Sequence, residues 1–263
     1  MKARLLLLTV LIAAALGANA QTYTVIHAIG KIYESKSGKY LTKGMRLSES
    51  AELKFETSGA KAAVLSSKRG RFVIQEKSSS SSGQGELAYA LAAVLSPARG
   101  RLSTRAGGIN NQLDFQKKFG EGPVAIVGDE YKVAVSPTAY PMSDNKFFYA
   151  SYSYNGEPIN KKLSRDGDSL VFDVPAFYSV DDKPIDPTTT SDTKLFYYNA
   201  GAQESTLITA LELSIITKDD LKSIVESLAD LPAEEKKNFV LEIVTEFYGK
   251  CSDDDVEKAL NSL

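Results

Sequence analysis

The chain has 263 residues, 43% of them hydrophobic, a formal net charge of -2, one histidine and one cysteine. That near-balance sets it apart from nucleic-acid binders, whose surfaces carry a clear basic excess. One cysteine excludes an intramolecular disulfide, a thiolate-rich metal site and Cys-x-x-Cys redox chemistry.

Met1, Lys2 and Arg4 place positive charge at the N-terminus, and residues 5–16 follow as an uncharged apolar run. Ala18-Asn19-Ala20 is a small-x-small pattern ahead of the polar pair Gln21-Thr22. A basic start, a short apolar core and such a site read as a secretory signal peptide over residues 1–20, cut between Ala20 and Gln21. The apolar run is shorter than the ~20 residues of a membrane-spanning helix, and no later segment suits a membrane span. The expected location is periplasmic or secreted, by bacterial-type export. Losing Lys2 and Arg4 moves the net charge from -2 to -4.

Residues 23–75 show short apolar runs punctuated by glycine. Tyr23-Thr24-Val25-Ile26-His27-Ala28-Ile29 leads to Gly30, and Glu52-Leu53-Lys54-Phe55-Glu56 alternates cleanly, so one of its faces is wet. Ala62-Ala63-Val64-Leu65 and Arg71-Phe72-Val73-Ile74 are two more strands, joined around Lys68-Arg69-Gly70. Strands this short and evenly spaced predict a β-roll or small sandwich.

Gly30-Lys31-Ile32-Tyr33, Gly38-Lys39-Tyr40-Leu41, Lys43-Gly44-Met45-Arg46-Leu47 and Ala60-Lys61-Ala62-Ala63-Val64-Leu65 together resemble the FecR-like extracytoplasmic β-domain. The resemblance covers about a fifth of the chain, and Ser67-Lys68-Arg69-Gly70-Arg71 replaces the family's usual Asp-Gly-Ser-type hairpin. It implies a fold and a compartment for residues 21–77 and carries over no iron-signalling role.

Lys77-Ser78-Ser79-Ser80-Ser81-Ser82-Gly83-Gln84-Gly85 is a low-complexity break. Serine and glycine at this density bury too little to offset the entropy of ordering, which predicts a flexible linker or an enlarged hairpin loop. Residues 78–122 are then a connecting segment, with an Ala- and Leu-rich helical stretch at 86–95 and a short helix or ordered loop at 110–119. A second, β-sandwich-like domain is expected over residues 123–216. Phe147-Phe148-Tyr149-Ala150-Ser151-Tyr152-Ser153-Tyr154 meets Asn155-Gly156, a strong hairpin signal, and Asp166-Gly167 turns into Ser169-Leu170-Val171-Phe172-Asp173. The two turns predict a three-stranded meander.

Residues 217–263 read as an acidic helical tail. Thr217 caps one helix, Pro232 sits at the start of a second that Gly249 ends, and Ser252 caps a third. This tail carries 12 acidic and 6 basic residues, whereas residues 23–77 carry 5 acidic and 11 basic. Such opposed ends favour internal docking or self-association. The fold class is thus mainly β with helical additions: a FecR-like β-roll, a β-sandwich-like domain and C-terminal helices.

Catalysis has few residues to work with. A Ser-His-Asp hydrolase or an imidazole base depends on His27, which lies in an apolar strand between Val25 and Ile29. Asp166 with Asp168, and Asp181 with Asp182, sit in turn-like sequence where aspartate bonds the local backbone. Asp253, Asp254 and Asp255 lack EF-hand spacing and suit a helix start. No phosphate cradle or other cofactor motif is present, and none is expected. Binding remains, either through tyrosines of the Tyr149, Tyr152 and Tyr154 region or through the basic residues Lys68, Arg69, Arg71, Arg99, Arg101 and Arg105. The expected role is an exported, non-catalytic accessory protein of the cell envelope, acting on an envelope protein or an anionic polymer. The alternative is a carboxylate-based extracytoplasmic glycan hydrolase, which needs no histidine.

Overall fold

A computed structural model describes residues 22–48, 50–66, 70–76 and 108–263. The described residues fall into two compact units, one within residues 1–97 and the other within 98–263. The expected signal peptide with its Ala20/Gln21 cleavage pair, and residues 77–107, which include most of the expected connecting segment, lie outside the described residues. What is described is mainly β with helical additions, the class read from the sequence. No described helix is long and apolar enough to cross a membrane.

In the first unit β1 (Thr22–Ile29), β4 (Arg46–Ser48), β6 (Lys61–Ser66) and β7 (Gly70–Gln75) form an antiparallel sheet in the order β4-β1-β6-β7. A smaller sheet, β3-β2-β5, comprises β2 (Ile32–Glu34), β3 (Lys39–Tyr40) and β5 (Leu53–Phe55). Tyr23, Val25, Ala62, Val64, Phe72 and Ile74 of the larger sheet share one core with Ile32 and Leu53 of the smaller. The corner from β1 into β2 turns on Gly30, whose φ is +71°. A Cβ there would lie 2.7 Å from the Cβ of Ala60, so the corner admits only glycine.

Glu34 is the buried carboxylate of this unit, 5% exposed. Its two oxygens accept the backbone N–H groups of Lys36 and Ser37, at 3.2 and 2.5 Å. Burial pushes its pKa up, but the Ser37 and Lys36 hydrogen bonds outweigh that and hold it below the ordinary value.

The second unit is a sandwich with a helical layer. One sheet, β11-β10-β16-β17, consists of β10 (Lys146–Tyr154), β11 (Glu157–Lys162), β16 (Thr190–Asn199) and β17 (Glu204–Ala210). The other, β12-β13-β9, consists of β9 (Glu130–Ala134), β12 (Ser164–Asp166) and β13 (Ser169–Asp173). Phe148, Ala150, Tyr152, Leu195 and Ile208 from the first sheet share a core with Tyr131, Val133, Leu170 and Phe172 from the second. Helix α1 (Gln112–Phe119), capped by the Asn111 side chain, adds Phe115 and Phe119 to that core, and the short α2 (Val174–Phe177) adds Phe177. Residues 110–119, assigned above to the connecting segment, therefore belong to the sandwich.

Asn155 and Gly156 form the β10–β11 turn with φ of 50° and 84°, as a two-residue hairpin of this sequence requires. The expected meander does not continue past it. Strand β12 pairs with β13, and β13 with β9, so the third predicted strand lies in the opposing sheet. Leu163, the single residue between β11 and β12, is 7% exposed and donates its N–H to the Phe148 carbonyl at 2.9 Å. Burying that leucine turns the chain from one sheet into the other.

Strands β8 (Val124–Val127) and β18 (Leu213–Ile216) pair in parallel. All four β8 residues are buried. Both faces are covered, which is why the segment is uniformly apolar rather than alternating. Val124 and Ile126 join the sandwich core, and α4 (Ala233–Tyr248) and α5 (Asp253–Asn261) pack on β8. With α3 (Lys218–Ser227), these helices are a packed layer of the unit and not an appended tail. Phe239, Val240, Ile243 and Val244 are fully buried. The predicted caps hold: Thr217 and Ser252 accept the N–H groups of Asp220 and Asp255, each at 3.1 Å.

Gly249 ends α4 at φ 109° and ψ -163°, and a Cβ there would lie 2.2 Å from the Pro123 carbonyl oxygen. The next residue, Lys250, donates to that oxygen at 2.8 Å and accepts from Ala125 N–H at 2.9 Å. Gly249→Ala is expected to destabilise the second unit by about 3 kcal/mol, read as a lower denaturant midpoint. For Glu34, a depressed folded-state pKa means that its contribution is fully present above the ordinary carboxylate value and is lost as pH falls through the depressed one. Glu34→Gln should therefore be less stable than the wild-type protein at neutral pH, with the gap closing on acidification. A gap constant from pH 7 to pH 3 would contradict this assignment.

Candidate functional site

Strand β10 carries rings on both of its faces, since strand geometry sends alternate side chains to opposite sides. Phe148, Ala150 and Tyr152 are buried; Phe147, Tyr149, Ser151 and Ser153 point the other way and are half-buried. Residues opposite each other in an antiparallel pair share a face. The register sets Phe147 against Tyr198, Tyr149 against Phe196 and Ser151 against Lys194. On the far side of β16, Leu207 lies opposite Phe196, and Ser205 opposite Tyr198. On β11, Lys162 lies opposite Tyr149, and Asn160 opposite Ser151.

The outcome is a contiguous aromatic patch on the outer face of the four-stranded sheet. Tyr149 and Phe196 stack with centroids 5.0 Å apart and planes 8° apart. Phe147 and Tyr198 meet at 5.3 Å and 49°. Leu207 extends the patch and is 47% exposed. Polar groups are interleaved: Tyr149 Oη and Ser205 Oγ share a hydrogen bond of 2.7 Å, and Lys162 Nζ sits 4.2 Å from the Phe147 ring centroid. Rings with polar tips, spaced by serine, asparagine and lysine, offer both apolar area and hydrogen bonding to a ligand laid across the strands.

The edges of this sheet are guarded. Gln112 Nε2 from α1 donates to the β17 carbonyls of Leu207 and Ile208, at 3.1 and 3.0 Å. Strand β11 carries Pro158, Lys161 and Lys162, residues that discourage edge-to-edge pairing. The open face, rather than an edge, is thus the surface this sheet presents.

An open pocket of about 390 Å³ adjoins the patch, lined by Met142 and Asp144 of the loop before β10, by Phe147, and by Lys162, Ser164 and Arg165. Arg165 Nη1 donates to the Met142 carbonyl at 2.6 Å and braces the loop against β12.

Of the three tyrosines singled out by sequence, Tyr149 alone reaches the outer face. Tyr152 is 1% exposed, donates to the Phe177 carbonyl at 2.8 Å and has its pKa raised by burial. Tyr154 packs against the core. Phe147, Phe196, Tyr198 and Leu207 escape sequence reading because their grouping depends on which strands pair. Their alternation with Phe148 and Tyr197 is the signal that could have found them.

All but one residue of the basic set fall outside the described residues. Lys68, Arg69, Arg99, Arg101 and Arg105 lie outside them. Arg71 lies on β7 opposite Leu65.

The acidic candidates have local roles. Lys132 lies 2.9 Å from Asp166, and its hydrogen bond and charge hold that carboxyl below its ordinary pKa. Asp168 shares the β12–β13 turn. Asp181 and Asp182 adopt left-handed φ of 50° and 59° in the turn between β14 (Ser179–Val180) and β15 (Lys183–Pro184). Asp253, Asp254 and Asp255 form the first turn of α5. His27 is half-buried beside a bulge in β1, opposite Ala63. Cys251 is buried, with its Sγ 3.5 Å from Thr245 Oγ1.

The two faces of β10 should respond differently to truncation. Tyr152→Ala is expected to cost about 3–5 kcal/mol of stability, and Tyr149→Ala only about 1 kcal/mol, as measured by denaturant unfolding. Equal losses at the two positions would mean that the outer ring is structural. Comparison with protein-family models, curated proteins and solved structures finds no match to this chain, so its function has to be read from its own side chains.

Proposed function

We propose that this chain is an exported, non-catalytic accessory protein of the cell envelope, and that it binds an envelope polymer across the outer face of the sheet β11-β10-β16-β17. The observation that carries this reading is the half-buried grouping of Phe147, Tyr149, Phe196 and Tyr198, with Leu207 exposed beside them. Aromatic rings already paired on a rigid sheet lose little conformational freedom on binding, so contact with them translates into affinity. The interleaved Ser151, Asn160, Lys194 and Ser205 suit a hydroxylated chain better than the dry centre of a protein interface.

Export rests on the signal-peptide pattern of residues 1–20 and on the FecR-like resemblance of residues 21–77, and it belongs to the same proposal. The hydrolase alternative needs one carboxyl held protonated to act as general acid. Asp166 is held ionised by Lys132, the opposite tuning, and Asp181 and Asp182 serve a turn.

Co-sedimentation of the mature protein, residues 21–263, with insoluble envelope polymer from a Gram-negative cell tests the reading. Binding is expected, and the triple replacement of Phe147, Tyr149 and Phe196 by alanine should weaken it at least about tenfold, the equivalent of 1.4 kcal/mol, while the protein stays folded. Retention of wild-type affinity by a folded triple variant would sink the proposal.

A further inference from the structure

We infer that the pocket beside Phe147 is an anion subsite, in which Lys162 and Arg165 receive a carboxylate or phosphate substituent of the bound polymer. The inference rests on the binding-face reading and adds to it the charge of the ligand.

Two other cations of the sandwich, Lys132 and Lys194, are neutralised by carboxylates beside them. Lys132 lies within 3.1 Å of both Glu130 and Asp166, and Lys194 lies 2.7 Å from Asp192. Lys162 and Arg165 have no carboxylate within ion-pair distance among the described residues. The contacts they do make position them without using their capacity for anions. The ammonium of Lys162 is held over the Phe147 ring at 4.2 Å, an attraction to the π-face that leaves its N–H donors for an acceptor. Arg165 commits Nη1 to the Met142 carbonyl at 2.6 Å, which fixes the guanidinium at the mouth and leaves its other N–H groups for a ligand. Asp144 is the one carboxylate in the lining, against these two cations, and the Ser164 hydroxyl adds a neutral donor.

The framework is stiff where it matters. Phe147 and Lys162 come from the paired strands β10 and β11, and Arg165 comes from β12, whose register with β13 places it opposite Leu170. The loop carrying Asp144 is closed by paired hydrogen bonds between Ser143 and Lys146, the shorter of 2.7 Å. Phe147 and Lys162 belong both to the pocket and to the aromatic patch. A chain resting on Tyr149 and Phe196 therefore delivers its substituents to the pocket without bending away from the sheet. An open site of this kind binds anions by charge-assisted hydrogen bonds and is weakened by salt.

Calorimetric titration of the mature protein with three defined probes tests this. Oligogalacturonate presents carboxylates, its full methyl ester presents the same sugar chain uncharged, and poly(glycerol phosphate) presents phosphodiesters. At least one anionic probe should bind about tenfold more tightly than the methyl ester, a preference worth about 1.4 kcal/mol. The double variant Lys162→Gln/Arg165→Gln should abolish that preference, bringing the anionic probes down to the affinity that the same variant shows for the ester. Which anionic probe shows the preference identifies carboxylate or phosphate as the group read. Equal affinity for the oligogalacturonate, the ester and the phosphate polymer, lowered by Tyr149→Ala but not by the double variant, would overturn the anion subsite and leave the aromatic face standing. Binding of none of the three would overturn both.

Discussion

Side chains on a strand leave the backbone on alternate sides, and in β10 and β16 that rule acts on stretches rich in aromatic residues. Phe148 and Tyr152 enter the sandwich and Phe147 and Tyr149 leave it, with Tyr197 and Phe196 divided in the same way. The inner rings join Phe115, Phe119, Tyr131, Phe172 and Phe177 in one network of ring contacts. The outer rings cannot retreat without a register slip that would expose the inner set. The core thus enforces the exposure of the outer rings: the same register that hides one set of rings holds the other at the surface. A sheet stabilised on its inner side can carry such a patch at little cost to its fold.

The rest of the second unit is arranged around a different constraint. Strand β8 is buried on both faces, so its backbone groups must all find partners inside the protein. The parallel strand β18 supplies one side, and the chain around Lys250 supplies the other through Pro123 and Ala125. Gly249 makes that second contact, since no side chain fits against the Pro123 carbonyl. The C-terminal helices pack their apolar residues onto this strand and leave their acidic residues to the first turns and outer surfaces. Much of the negative charge in residues 217–263 is thereby accounted for by helix starts, where the dipole favours it.

Three of the groups of the kind that catalysts use are engaged in structure. Asp166 is paired with Lys132, Asp255 is joined to its cap Ser252, and Tyr152 is bonded to the Phe177 carbonyl. Ring surfaces, serine hydroxyls and the cations Lys162 and Arg165 keep capacity for a ligand. The rings and Lys162 belong to the sheet β11-β10-β16-β17, and Arg165 reaches the same pocket from β12 of the other sheet. Recognition of an extended, substituted chain uses that inventory directly, with the rings supplying contact area and the cations reading charge.

Local signals are strong wherever one short segment settles its own conformation. Asn155-Gly156 forces a hairpin, Thr217 and Ser252 begin helices, and Gly249 ends one, so these features are legible in the order of residues alone. The mainly β class follows from the same local signals. Segments whose state depends on distant partners are not legible. Leu163 sends the chain between sheets only because a core exists to receive it, and the apolar run Val124-Ala125-Ile126-Val127 carries no mark of its parallel partner, some ninety residues away. Residues 217–263 show their helices but not that a buried strand awaits them. The candidate site illustrates the same division: the sequence by itself determined that β10 has two kinds of face, and only tertiary pairing decided that Phe147, Tyr149, Phe196, Tyr198 and Leu207 meet on one of them. The physical reason is that alternation is a property of a single strand, whereas a surface patch is a property of the register between strands.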